Sequence, residues 1–212
     1  MSLKFVYFDL GNVLFHFDHR RAAANLAAAG GVTPQAAWDA LFASGMQWRY
    51  EQGELTTGDV CRLLNEALAT SLDESTVAAA ISDIFWLNDS IVPVVARLQA
   101  AGWPLGILSN TCHAHWEWIN ADRYPLIQQH FDHFVLSYEV GSMKPDQSIY
   151  AHAQRVAGCQ ADEIFFMDDV AANVAGALAA GWDAVLYEST PQLVEELARR
   201  GLMAPVGAPR HP

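Results

Sequence analysis

Positive charge is scarce in this chain: 12 lysines and arginines stand against 24 aspartates and glutamates, a formal net charge of −12. Such a surface repels nucleic-acid backbones and anionic membranes at long range, so neither is expected as a partner. Cysteine is scarce as well. Cys61, Cys112 and Cys159 are odd in number, far apart and outside any C-x-x-C spacing, which argues against a disulfide framework or a cysteine zinc site and for the reducing cytoplasm. No apolar run reaches the ~18 residues of a membrane span, and the N-terminal run from Leu3 to Phe8 is too short for a signal segment. Low charge does not mean disorder, because 52% of the residues are hydrophobic and 17% charged. A chain of 212 residues can bury about 70% of its unfolded surface, enough for a core without covalent staples.

Five short apolar runs recur, from Leu3 to Phe8, Pro104 to Leu108, His133 to Ser137, Glu163 to Met167 and Ala184 to Tyr187. They read as buried strands. Helical patterns with glycine stops lie between them: Ser90 to Ala101, Pro145 to Ala157, Val170 to Ala180 and Pro191 to Arg200, the last with Thr190 as its predicted N-cap. Strand alternating with helix predicts an α/β fold, a parallel sheet covered on both faces by right-handed crossovers. Nearly a hundred residues separate the first two runs, and they hold four helical patterns: His19 to Ala29, Pro34 to Ser44, Thr57 to Thr70 and Asp73 to Phe85. These predict an inserted all-helical cap over residues 18–88, with the core formed by residues 1–17 and 89–212. The tail from Met203 to Pro212 is expected to fray.

Ligands of open parallel sheets bind beyond the carboxyl ends of the strands. The residues there are Asp9 after the first run, Ser109, Asn110 and Thr111 after the second, Lys144 in the loop after the third, and Asp168 and Asp169 after the fourth. Taken alone, an Asp after a strand is usually a helix cap or a turn residue; four polar groups in register with four strands are a site. Three carboxylates in one crevice repel each other and lift at least one pKa unless a cation joins them. Mg²⁺ suits such an all-oxygen donor set, and Lys144 adds a second positive charge. A carboxylate attacking a phosphate dianion needs this much positive charge, and Ser109 and Asn110 are expected to donate hydrogen bonds to the phosphate oxygens.

Four segments in order, FDLGNVL (Phe8 to Leu14), LSNT (Leu108 to Thr111), GSMKPD (Gly141 to Asp146) and FFMDDVAANVAGALAAG (Phe165 to Gly181), resemble the motifs of the haloacid dehalogenase-like hydrolase superfamily. Within it the chain is most similar to the small-cap branch of sugar-phosphate phosphatases and the phosphatase domain of epoxide hydrolases. The resemblance implies a Rossmann-like, doubly wound core and an aspartyl-phosphate formed on Asp9, with phosphate contacts from Ser109 and Lys144. It also implies Mg²⁺ held by Asp9, the Gly11 carbonyl and Asp169, with Asp168 as an accessory or water-mediated ligand, and a small phosphorylated metabolite as substrate. One departure stands out. Most family phosphatases carry a second Asp two residues after the nucleophile, as the acid and base of the reaction; here that residue is Gly11, and His16 or Asp18 at the cap hinge is the expected substitute.

Weaker signals remain. His113 and His115 lack a third ligand at metal-binding spacing and read as solvated. Trp38, Trp48 and Tyr50 are core or crevice aromatics, Arg49, Tyr50 and Glu51 substrate-contact candidates, and Asn173 either a partner of a metal ligand or a helix-surface amide. Val170, Val174 and Leu178 read as a packed helix face. Two other readings compete: a metal-independent 2-haloacid dehalogenase, disfavoured by the acidic pair Asp168 and Asp169, and a phospholigand-binding protein without turnover.

Overall fold

The computed structural model describes residues 2–204, which form a five-stranded parallel sheet and an inserted helical segment. In chain order the first half holds β1 (Phe5–Phe8), β2 (Phe15–Phe17), α1 (His19–Gly30), α2 (Pro34–Trp38), α3 (Met46–Glu51), α4 (Thr57–Leu68), α5 (Glu74–Ser82), β3 (Phe85–Leu87) and α6 (Val92–Ala100). The second half holds β4 (Leu105–Ser109), α7 (His113–Asn120), α8 (Pro125–His130), β5 (His133–Leu136), α9 (Ser137–Val140), α10 (Gln147–Ala157), β6 (Ile164–Asp168), α11 (Ala171–Ala179), β7 (Asp183–Leu186) and α12 (Thr190–Arg199). The sheet order is β5-β4-β1-β6-β7, so the chain starts in the middle and winds outward in both directions.

β1 is central because all four of its residues are apolar and buried, as a strand covered on both faces requires. The period of two divides them: Val6 and Phe8 point into one core with Ile107, Phe165 and Met167, while Phe5 and Tyr7 point into the other with Leu108, Ile164 and Phe166. Tyr7 keeps its hydroxyl satisfied there by donating to the Ala153 carbonyl at 2.9 Å. Parallel pairing of β1 with β4 and β6 sets the ends of all three strands level, which brings Asp9, Ser109 and Asp168 to one edge.

All five expected strands form, within two residues of their expected ends. The inserted segment is helical between its two connections to the core, and those connections pair as an antiparallel ribbon, Phe15↔Leu87 to Phe17↔Phe85. This corrects one boundary: the helix expected from Asp73 to Phe85 ends at Ser82, and β3 follows it. α2 runs on into a π-helical turn, Asp39–Ala43. α12 is capped by Ser189, whose side chain accepts from the Gln192 N–H, so the cap lies one residue before the expected Thr190. In α11 only Val174 of the expected packed face is buried; Val170 and Leu178 are exposed. Cys61 and Cys112 are buried free thiols and Cys159 is a half-buried one. Met203 is buried rather than frayed, and the rest of the expected tail, from residue 205 on, lies outside the described residues.

Candidate active site

Asp9 leaves β1 into a tight turn in which Leu14 and Phe15 N–H both donate to the Leu10 carbonyl. Asn12 closes the turn in the left-handed region at φ +53, a conformation that asparagine tolerates better than most residues. That conformation aims its side chain at Asp169: Asn12 Nδ2 donates to Asp169 Oδ2 at 2.9 Å. Asn12 thus belongs to the site, and the sequence alone gave no sign of it beyond its place in the first motif.

Lys144 ties the strand ends together. Its buried ammonium donates to Asp9 Oδ1 and Asp168 Oδ2, both at 2.6 Å, and to the Leu108 carbonyl at 2.9 Å. Burial alone would lower its pKa; the charges of Asp9 and Asp168 outweigh that and hold it above the usual range. Asp9 is shifted upward, first by burial and then by the charges of Asp168 and Asp169, against the pull of Lys144. Half-buried Asp169 is raised as well, again first by burial. One carboxylate oxygen from each of Asp9, Asp168 and Asp169 lies within 4.8 Å of the other two. Three carboxylates therefore face one ammonium, and the site is short of positive charge.

Asn110, expected to donate to phosphate, lines the cavity and also clasps the Lys144 backbone, accepting from Lys144 N–H at 2.8 Å and donating one Nδ2 hydrogen to the Lys144 carbonyl at 2.9 Å. It positions Lys144. Asp168 is fully buried and saturated by protein: Lys144 and Asn173 donate to Oδ2, and Val170 N–H and Asn173 to Oδ1, at 2.6 to 3.0 Å. Its carboxylate orients Lys144 and leaves Asp9 and Asp169 as the carboxylates with oxygens to spare. Asn173 is buried and bonded to Asp168, not a surface amide. No hydrogen bond among the described residues engages the buried Ser109 hydroxyl, and Ser109 lines the cavity.

That cavity has a volume of about 240 Å³, with Asp9, Gly11, Asn12, Ser109, Lys144 and Asp169 at its floor. Phe17, His19, Glu51, Phe85 and His115 line it from the ribbon, the inserted helices and α7. A Cβ at Gly11 would stand 2.9 Å from Cε1 of Phe17, so the place of a side chain at residue 11 is filled by an aromatic ring. The expected substitutes for that side chain do not reach the cavity: Asp18 is spent capping α1 through the Arg20 N–H, and the His16 ring lies against Trp86. His113 is exposed, but His115 is buried, lines the cavity and donates from Nε2 to the Ile81 carbonyl at 3.2 Å. Burial lowers its pKa to about 3, so it stays neutral. Trp38, Trp48 and Tyr50 do not line the cavity, and Arg49 pairs with Glu54 outside it; of the triplet Arg49, Tyr50 and Glu51 only Glu51 does.

Comparison with known proteins agrees with this architecture. The chain is 26% identical over 154 residues to bifunctional epoxide hydrolase 2 of Rattus norvegicus, covering 66% of this chain and 26% of that protein. It is 30% identical over 131 residues to an (S)-2-haloacid dehalogenase of Pseudomonas putida, covering 61% of this chain and 57% of that one. It thus spans less than two thirds of both relatives. A HAD family enzyme of Bacteroides thetaiotaomicron, crystallised with magnesium and inorganic phosphate, superposes with a TM-score of 0.79 at 23% identity over 88% of this chain and 95% of that one. Residues 3–181 match the family described as haloacid dehalogenase-like hydrolase, and the chain is a member of that hydrolase family.

Proposed function

We propose that this hydrolase is a phosphatase that cleaves a small phosphate monoester through a covalent phosphoryl group on Asp9. The observation that carries the reading is the charge imbalance at the floor: Asp9, Asp168 and Asp169 against Lys144 alone. A 2-haloacid displaced at carbon needs no further cation, whereas a phosphate dianion approached by a carboxylate does. The oxygen donors fit Mg²⁺, which takes few carboxylates and keeps waters and a substrate phosphate. Asp9, the Gly11 carbonyl and Asp169 would hold it, with Asp168 acting through Lys144. Bound there, the ion would neutralise phosphate charge and polarise the phosphorus; a protein of related fold was crystallised with magnesium and inorganic phosphate.

The remaining work falls to the protein's own groups. Asp9 attacks phosphorus in line with the departing ester oxygen. Lys144, fixed by Asp168 and the Asn110 clasp, offers its ammonium to the charge that builds on the phosphoryl oxygens, and the unpartnered Ser109 hydroxyl donates to one of them. The cavity, of about 240 Å³, lies below the 300–1,000 Å³ usual for drug-sized ligands and suits a small ester; a sugar phosphate is the class we favour.

The likeness to haloacid dehalogenases keeps a second reading in play, since Gly11 removes the acid that a dehalogenase does not need either. One assay separates them. Phosphate release from a panel of phosphorylated metabolites and p-nitrophenyl phosphate, with Mg²⁺ or with EDTA, is run beside chloride release from 2-chloropropionate, with Asp9→Asn as the blank. Phosphate release that EDTA abolishes is the expected result; chloride release untouched by EDTA would overturn it.

A further inference from the structure

Resting on the phosphatase reading, we infer that Glu51, on the inserted helix α3, is the general acid and base of the reaction, supplied from the cap because Phe17 fills the place over Gly11. Both steps need a proton carrier opposite Asp9. An in-line displacement puts the departing oxygen on the side of phosphorus away from the nucleophile, and Asp9 rises from the strand ends. The titratable groups that line the cavity from the inserted helices and from α7 are His19, Glu51 and His115.

His115 is neutral, with its Nε2 proton committed to the Ile81 carbonyl. His19 is held below its usual range by burial, which works against the protonated form. Burial works the other way on Glu51 and favours the protonated acid. Its carboxyl is pushed up to about 7, first by burial, with only the hydrogen bond from Gln47 acting against it. That bond, Gln47 Nε2 to Glu51 Oε1 at 2.8 Å, engages one oxygen; none of the described hydrogen bonds engages Oε2. The other titratable groups nearby bring no compensating charge: burial raises the thiol of Cys112 at the start of α7 and the phenol of Tyr138 on α9, while Glu139 is exposed and Arg49 pairs with Glu54 away from the cavity.

Glu51 is also held in place. Ser137 Oγ of the core donates to the Glu51 carbonyl at 2.6 Å, and the Ala114 N–H donates to the hydroxyl of neighbouring Tyr50 at 3.0 Å. Two residues on, Gly53 lies so close to the Tyr138 carbonyl that a Cβ there would stand 2.3 Å from its oxygen. Three contacts thus anchor the end of α3 to the core beside Ser109 and Thr111.

The proton balance closes over two steps. Asp9 Oδ bonds to phosphorus, the bond from phosphorus to the ester oxygen breaks, and the Glu51 carboxyl gives its proton to the departing alkoxide. Glu51, now a carboxylate, takes a proton from water as that water's oxygen bonds to phosphorus; the bond from Asp9 to phosphorus breaks, phosphate leaves, and Glu51 is an acid again.

The test uses stopped-flow kinetics on the full chain with Mg²⁺, wild type against Glu51→Gln, on p-nitrophenyl phosphate, whose leaving group needs little protonation, and phenyl phosphate, whose leaving group needs more. Glu51→Gln is expected to keep the first p-nitrophenolate release within about threefold of wild type. Later turnovers should fall by about 10²- to 10⁴-fold, giving a burst of one nitrophenolate per chain, and phenyl phosphate should lose its first turnover as well. The fall of wild-type kcat/KM above neutral pH should disappear in the variant, and Glu51→Asp should restore part of the later turnovers. Activity within threefold of wild type on both substrates overturns the assignment, as does an equal loss on both without a burst, which marks Glu51 as structural. Wild type that releases no phosphate from any ester overturns the phosphatase reading itself.

Discussion

At the floor of the cavity Lys144 Nζ has three acceptors and both Asp168 oxygens are doubly engaged, whereas across the cavity Glu51 holds a single side-chain hydrogen bond and buried His19 Nδ1 holds none. Among the described residues the pair Lys144 and Asp168 is fully satisfied by protein, whereas Ser109 beside it and Glu51 and His19 on the inserted helices keep hydrogen-bonding capacity unused. Unmade hydrogen bonds in a buried place cost roughly 1–3 kcal/mol each, so a wall that leaves them open is one whose partner arrives from outside. On the phosphatase reading proposed above, the floor would act on the phosphoryl group and the inserted helices would meet the rest of the ester.

This contrast can be broken in four places. The largest effect is expected at Lys144→Met, which strands Asp9 and Asp168 as buried charges; chemical denaturation should show a loss of about 3–5 kcal/mol, and a loss below 1 kcal/mol would mean the floor is wetter than its geometry indicates. Next comes the pH dependence set by Glu51. Its folded pKa is raised, so between the ordinary carboxylate range and about 7 the folded chain binds more protons than the unfolded one, and this group's share of stability falls as pH rises through that window. Measured between pH 5 and pH 8 without metal, Glu51→Gln should remove up to about 3 kcal/mol of that decline. The upward shift of Asp9 has the same sign and remains in the variant, which separates the two walls.

Gly11→Asp forces its Cβ against the Phe17 ring and should cost about 1–3 kcal/mol in thermal or chemical unfolding without speeding turnover. Faster turnover would show that the floor has room for its own acid. The smallest effect is expected at Arg49→Ala. Its pair with Glu54 is about half exposed at both ends, so stability should change by less than about 1 kcal/mol and kcat/KM by less than twofold.

The sheet was legible because its signals are local: Phe5 to Phe8 is uniformly apolar, and each polar group follows directly on a run. The gathering of Asp9, Ser109, Lys144, Asp168 and Asp169 followed from their places after the apolar runs and from the four ordered motifs. Their division of labour did not, because it is set by long-range pairings: the Asn110 clasp spans 34 residues and the bond from Asn12 to Asp169 spans 157. α3 and α7 were missed for a related reason. α3 is six residues long, and neither Gly45 nor Cys112 supplies a capping side chain, so packing and not local chemistry makes these helices. The same short α3 carries Glu51, which is why the cap wall was the less readable half of the site.

Gly53 sits where the end of α3 meets α9, with a backbone φ of +79 and no space for even a methyl group. The packing of this segment against α9 therefore depends on a hydrogen atom at one backbone position. An alanine there would act as a doorstop, prying the helical lobe off its seat while every polar group of the floor stayed intact, so that seating and bond cleavage become separately adjustable in one molecule.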